Sequence, residues 1–377
     1  MILKTFEYYE FPNDDRYWAI KQFELGKINL FAAKNATGKS RTLMAIDSLD
    51  SIIQKSDFNS YSNYTVEFSN KETEFRYNLN YNGNKVISEK LEDNEIIYIN
   101  RSGNGKGEIL TAQSNKEMQL MEFQVPENKL VISRRDQIQY PYLEKIHKWA
   151  EGVQYYTFGK SMNQEYGIKI DKEWAFQYGN SDNPVEIFFA GEFNFKNKYR
   201  EKVLEIVNEI GYNLKEVGIK QGLYSDLNIK SDYYTLYAIE NNIKATITQN
   251  AMSQGMFRAL SIIIHITYHV MMGLPTTILI DDIGEGLDFE RSSKLIKLLI
   301  RLTEENDNIQ LIMSTNDRFV MNNVPLEYWQ VIQRTGGECR VYNYQNSKEK
   351  FDEFAYTGLN NFDFLATDFI NSEWKKV

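Results

Sequence analysis

Ala33-Lys34-Asn35-Ala36-Thr37-Gly38-Lys39-Ser40 is the stretch that decides how this chain is read. An apolar run, Ile28-Asn29-Leu30-Phe31-Ala32, leads into it, and Thr42-Leu43-Met44-Ala45-Ile46, spaced for a helix, follows. A strand, a Gly-containing loop and a helix in that order form a setting in which backbone N–H groups and a helix N-terminus converge on phosphate. Lys39 is expected to reach the β- and γ-phosphates of a nucleotide, and Ser40 to place its hydroxyl on Mg²⁺. The stretch from Ala33 through Arg41 is thus the expected nucleotide-binding segment. Ala33 stands where such loops open with Gly, and it can make the turn if its φ stays negative.

Working outward, 377 residues suffice for one large domain or two with an ample core. Lys+Arg 43 against Asp+Glu 52 gives a net charge of −9, so any nucleic-acid contact has to come from a local basic patch. The single cysteine, Cys339, excludes an intramolecular disulfide framework and fits a reducing compartment. The opening MILKTFEYYEF lacks a signal peptide's apolar core, and the longest apolar stretches stop short of a bilayer span. A soluble, cytoplasmic protein is expected.

Ile2–Phe11 and Tyr17–Leu25 read as strands feeding the one at Ile28. Arg16 and Trp18 lie close enough to that entry to stack on an adenine, although a packed strand Trp is the simpler role. From Tyr64 to Asn100, short alternating runs with Asn82-Gly83 between two of them predict an antiparallel meander. Gly103–Gly107 reads as a flexible loop tip. Pro141–Glu151 and Lys198–Ile210 have helical spacing, but neither repeats over enough heptads for a long coiled coil. The Lys196, Lys198, Arg200, Lys202 cluster reads as a solvated helix start. The chain therefore divides into a phosphate-loop half (1–60), the meander (61–130), an inserted helical or mixed lobe (131–250) and a C-terminal half (251–377), all in one domain.

The C-terminal half repeats the phosphate theme. Ile278-Leu279-Ile280 is a short buried strand ending in Asp281-Asp282. An acidic residue there completes a Mg²⁺ shell, so Asp281 is the expected metal partner, with Ser40, and Asp282 is placed to orient or deprotonate water. Upstream, Ser253-Gln254-Gly255 opens the apolar helix Ala259–Met272, a second anion-type helix start. Gly286-Leu287-Asp288 follows the acidic pair, and a strand Gln310–Ser314 ends in Thr315-Asn316-Asp317.

This order resembles the ABC-type ATPases, and more narrowly their SMC, RecF and OLD-like non-transporter branch. The VISEKL and DDIGEGLD phrases are similar to compact bacterial members of that branch, many of them anti-phage defence ATPases. The resemblance implies an α/β head with a mixed, largely parallel sheet, and a head-to-tail homodimer that sandwiches ATP and Mg²⁺. Ala33–Ser40, Asp281 and Asp282 of one copy would face Ser253, Gln254 and Gly255 of the other, with Asp288 contacting across the dimer. Besides Ala33, two positions depart from the family pattern: Asp282 replaces the catalytic Glu, and Asn316 replaces the switch histidine. An amide donates to phosphate but carries no positive charge, so slow turnover is expected, suited to a sensor more than a motor. Glu285 and Arg318 stand near enough to compensate, or are simply solvated.

The output implied by the resemblance is control of a separately encoded nuclease or toxin. The alternatives are a DNA-repair or recombination ATPase acting on DNA ends and a non-hydrolysing scaffold glued by ATP. The family's glutamine loop has only Gln113, Gln137 and Gln139 as candidates. His265 and His269, at i and i+4, read as packing residues more readily than as metal ligands. The aromatic C-terminal run, with Phe354, Tyr356, Phe362, Phe364 and Phe369, is expected to pack across the head, an exposed part being free to dock a partner.

Overall fold

Five parallel strands carry the loop. The computed structural model describes residues 1–58, 60–70, 73–113, 117–157, 164, 167–170, 183–224, 229–243 and 245–371. In chain order these form β1 (Ile2–Glu10), β2 (Trp18–Glu24), β3 (Ile28–Ala32), α1 (Lys39–Lys55), β4 (Tyr61–Ser69), β5 (Glu74–Asn82), β6 (Lys85–Glu92), β7 (Ile97–Ser102), β8 (Lys106–Ala112) and β9 (Met118–Gln124). Next come α2 (Pro141–Glu151), β10 (Val153–Thr157), β11 (Ile168–Lys169), α3 (Pro184–Phe195), α4 (Asn197–Glu209), β12 (Leu214–Tyr224), β13 (Ile229–Glu240), β14 (Thr246–Thr248) and α5 (Gln254–Met272). The last stretch holds β15 (Thr276–Asp281), α6 (Phe289–Glu305), β16 (Ile309–Thr315), α7 (Arg318–Asn323), β17 (Trp329–Thr335), β18 (Glu338–Asn343), α8 (Lys348–Ala355) and α9 (Asn361–Ala366). No described helix exceeds the 19 residues of α5, in line with the absence of a long coiled coil.

One fourteen-stranded sheet runs β10-β15-β16-β3-β17-β18-β2-β1-β4-β5-β6-β7-β8-β9. Strands β10, β15, β16, β3 and β17 are mutually parallel. From β1 through β4 to β9 every pairing is antiparallel. The expected meander is therefore hydrogen-bonded into the nucleotide sheet itself, and it continues two strands beyond Asn100.

Alternation along the parallel strands divides two cores. Ile28, Leu30, Ile278, Ile280, Leu311 and Met313 point into one, against α3, α4, α5 and α6. Phe31, Leu279 and Ile312 point into the other, against α1, α2 and the meander. Both faces are covered, which is why these strands read as near-continuous apolar runs. Each fully buried aliphatic or Phe side chain stabilises by about 1.5–3 kcal/mol. Buried amides tie these strands to their neighbours. Gln330 Nε2 donates to Asn29 Oδ1 (3.0 Å) and Asn343 Nδ2 to Gln330 Oε1 (3.0 Å). Gln310 Nε2 donates to Leu3 O (2.7 Å), fixing β1 across the sheet.

One expectation changes. Residues 153–157, read within the inserted lobe, form β10 and close the parallel sheet beside β15. The rest of the lobe, expected to be helical or mixed, is mixed: β11, β12, β13 and β14 make a second antiparallel sheet beside α3 and α4. Its alternating stretch Tyr233-Tyr234-Thr235-Leu236-Tyr237-Ala238-Ile239 is strand chemistry. The aromatic C-terminal run packs as expected, with Phe354, Phe364 and Phe369 buried and Tyr356 left exposed.

Candidate nucleotide-binding site

The loop Ala33–Ser40 leaves the C-terminal end of β3 and opens α1. Ala33 is buried and takes no positive φ; left-handed backbone falls instead on Ala36 (φ 61°) and Gly38 (φ 113°). The Ala-for-Gly departure is thus accommodated as expected. Gly38 is needed twice over, because a Cβ there would also sit 3.1 Å from Trp18 Cζ2 and 3.4 Å from Cys339 Sγ. Trp18 is fully buried, with Arg41 stacked over it at 4.8 Å, so it supports the loop from below. Arg16 is held by Asp14 at 2.8 Å. Neither residue presents a stacking platform in this arrangement.

Lys39 is 7 % exposed, and its Nζ donates to Ala33 O (3.0 Å) and to Asn316 Oδ1 (2.8 Å). Burial pulls its pKa down, opposed by the carboxylates of Asp282 and Asp281. Ser40 Oγ donates to Asp281 Oδ1 at 3.0 Å, joining the two expected metal partners across 241 residues. Ser314 Oγ donates to the same carboxylate oxygen (2.5 Å) and accepts the Asp282 N–H (3.0 Å). Tyr155 of β10 aims its hydroxyl at Asp281 Oδ2 from 3.5 Å. One carboxylate and one hydroxyl suit Mg²⁺, which keeps most of its octahedral shell for water and phosphate oxygens. The donor set fits that ion.

Asp282 caps β15 in the left-handed region, φ 55°, a conformation Asp tolerates better than most residues. Burial raises its pKa, helped by Asp281 and Glu285 and countered by Lys39. Asn316 Nδ2 donates to Asp282 Oδ1 at 3.4 Å while its oxygen accepts a hydrogen bond from Lys39, so the amide spans lysine and acid. The three expected catalytic residues are therefore brought together.

Ser253 caps α5, accepting the Met256 N–H (3.2 Å), and both Ser253 and Gln254 are exposed. Gly255 is buried: a Cβ there would meet Gly286 O at 2.3 Å, which locks the helix start onto the Gly286-Leu287-Asp288 turn. Arg258 Nη1 donates to Glu285 O (3.2 Å), tightening the same junction. Asp288 is exposed and caps α6, accepting the Arg291 N–H (2.9 Å). The second phosphate-type element thus faces outward, on its own helix, while the first is built around β3, β15 and β16.

Ser314, Tyr155, Cys339 and Gln164 carry no motif and escape sequence reading. Cys339 Sγ donates to Thr37 O at 3.1 Å. Gln164 Nε2 donates to the carbonyls of Gln249 and Met252, both at 2.7 Å, immediately before Ser253. Gln113, Gln137 and Gln139 lie on the meander side, around β9 and the entry to α2. Among the described residues no cluster of three or more His, Cys, Asp or Glu could hold a metal. His265 bonds Ser261 O and packs against Tyr156, and His269 is buried. Gly103–Gly107 closes the β7–β8 hairpin, with the Gly105 N–H donated to Ser102 O, and is a packed turn rather than a loose tip. Glu192 of α3 takes Arg200 of α4, and Glu205 takes Lys202 within α4, so these cations of the basic cluster are partnered.

Residues 157–322 match the AAA_21 family, described as "AAA domain, putative AbiEii toxin, Type IV TA system". That span holds Ser253, Asp281, Asp282 and Asn316 but not Lys39. No curated protein matches the chain. Among solved structures it is similar to an Smc head bound to the C-winged helix domain of ScpA, at 14 % identity and TM-score 0.53, covering 91 % of this chain and 97 % of that one. It is similar as well to the Smc head with an extended coiled coil bound to the C-terminal domain of ScpA from Pyrococcus furiosus, at 12 % identity and TM-score 0.51, covering 94 % and 99 %. With its loop, acidic strand end and helix-start motif set on that scaffold, the chain has the fold of an Smc head.

Proposed function

We propose that this protein binds ATP with Mg²⁺ in a head-to-tail dimer, hydrolyses it slowly, and uses the dimer as a switch on a separately encoded partner. The observation that carries the reading is the Ser40–Asp281 contact beside the Lys39–Asn316–Asp282 chain, with Ser253 and Gln254 facing outward. One copy thus supplies a loop and an acid, and offers its helix start to another. Lys39 neutralises phosphate charge, and Ser40 and Asp281 hold the ion. Mg²⁺ held there would supply positive charge against that developing on the phosphate. Asp282 orients the attacking water, while Asn316 fixes Lys39 and Asp282 relative to each other. The short acid and the uncharged amide support slow turnover.

A sensor in bacterial anti-phage defence, acting on a nuclease or toxin, is supported by the match of residues 157–322 to a family whose description names an AbiEii toxin and a Type IV TA system. The net charge of −9 weighs against the DNA-end reading.

A mixing experiment tests the composite site. Lys39→Ala and Ser253→Arg are each expected to abolish multiple-turnover phosphate release. Mixed, they form heterodimers with one intact site, and release returns to about a quarter of the wild-type rate. A mixture as inactive as either variant overturns the head-to-tail arrangement, and turnover that survives Lys39→Ala overturns the site itself.

A further inference from the structure

Strand β9, Met118-Gln119-Leu120-Met121-Glu122-Phe123-Gln124, ends the fourteen-stranded sheet, and along its outer side no described strand pairs with it. Edge strands are ordinarily blunted by Lys, Pro, a bulge or brevity. This one has seven residues, a single charge and an unbroken register with β8. Three of its four apolar side chains stay in water: Met118 is 43 % exposed, Leu120 47 % and Met121 46 %, while Phe123 packs against the core. A strand so equipped is a template for another strand.

The backbone says which residues face out. The Gln113 N–H is donated to Glu117 O (2.8 Å), and the Val125 N–H to Gly105 O (3.0 Å). Residues 117 and 125 therefore turn their polar groups inward to β8. With no register break between them, the odd-numbered residues do likewise, leaving Met118, Leu120, Glu122 and Gln124 with donors and acceptors pointing outward. Two antiparallel copies can pair about several centres, and charge and overlap choose among them. A centre at Glu122 sets two carboxylates opposite each other, which repels. A centre at Leu120 leaves part of each strand unpaired. A centre at Met121 overlaps all seven residues and sets Leu120 against Glu122 and Met118 against Gln124. Those are the outward-facing pairs, giving about eight hydrogen bonds.

We propose that the β9 edge is a self-association surface, on which a second copy of this chain adds its own β9 antiparallel about a two-fold axis at Met121. It lies ten strands from β3, roughly 48 Å along the sheet, and is separate from the nucleotide site. The proposal does not rest on ATP binding and is tested without nucleotide.

Cys339, the chain's one cysteine, is buried, so introduced thiols report cleanly. In this register Met121 opposes its own copy as a non-hydrogen-bonded pair, Cα to Cα about 4.5 Å, within disulfide reach. Met121→Cys in the full chain, mildly oxidised, is expected to give a covalent dimer on non-reducing gels, in at least tenfold excess over Gln119→Cys, which faces Phe123. Leu120→Lys is expected to weaken self-association by about tenfold in sedimentation, with circular dichroism unchanged. Equal cross-linking by Met121→Cys and Gln119→Cys overturns the register. A Met121→Cys protein that stays monomeric overturns the proposal, and that comparison decides even if Leu120→Lys fails to fold.

Discussion

The two ends of the sheet obey different rules. At the β3 end the strands are parallel, and every residue of β3, β15 and β16 is buried. The meander strands alternate buried and open, and β9 is almost wholly open. Parallel strands need crossover helices that cover both faces, which pushes polar side chains to the strand ends. That is where Asp281, Asp282 and Asn316 gather beside Lys39. The meander has no such end, and its chemistry is structural. The sharpest break between the regions is functional: Lys39→Ala or Asp281→Asn is expected to lower phosphate release at least about 100-fold, with thermal stability nearly unchanged. Chelating Mg²⁺ should match them. A meander variant with an equal loss at equal folding would erase the distinction.

The converse test lies in the meander. Glu89 and Arg101 are both buried. The Glu89 carboxylate accepts the Val131 and Ile132 N–H groups at 2.8 Å each, and Arg101 Nη1 donates to Lys129 O at 2.6 Å. The pair pins residues 126–132 under the strands. Glu89→Leu strands Arg101 and two amides, so a loss of about 3–5 kcal/mol is expected by denaturant unfolding. Turnover per folded molecule should stay unchanged.

A smaller effect belongs to the core under the site. His269 is buried on α5, and burial, aided by His265, depresses its pKa from 6.5 to about 3. The unfolded chain takes up a proton near pH 6.5 while the folded one does not. His269 thus contributes stability that is whole above 6.5 and is lost as pH falls toward about 3, at roughly 1.4 kcal/mol per pH unit. His269→Leu is expected to flatten that slope in urea titrations between pH 6.5 and 5. An unaltered slope would assign it to other groups.

What the sequence discloses follows the same divide. The phosphate loop, the Asp281-Asp282 strand end and the Ser253 cap are local: neighbours along the chain fix their geometry. Ser40 meeting Asp281 could be anticipated only because each motif announces itself. Tyr155 has no motif near it, and Ser314, though it ends the strand before Thr315-Asn316-Asp317, gives no sign of its own; both roles arise from parallel pairing with distant strands. β10 is the plain case, five residues without a motif, placed by β15 more than a hundred residues later. In the lobe, β13 could be read from its alternation but not its partners. β9 reads poorly because only Phe123 packs inward, so burial imposes no alternation.

The mildest test returns to the site and asks how far its chemistry is matched to its backbone. Asp282 is one methylene shorter than the Glu that the resemblance sets there, and it sits at φ 55°. Asp and Asn tolerate that region because their short polar side chains bond locally; a longer side chain gains nothing there. Asp282→Glu thus moves two quantities in opposite directions. Reach toward the attacking water improves, so phosphate release is expected to rise a few-fold, about 1 kcal/mol in barrier. The lost tolerance of left-handed backbone costs about 0.5–1 kcal/mol, read as a slightly lower melting temperature. If release falls instead, the short carboxylate is already matched to its water and the proposed slow turnover has another cause. Asn316→His then becomes the informative change, because it alone would restore a chargeable group beside Lys39.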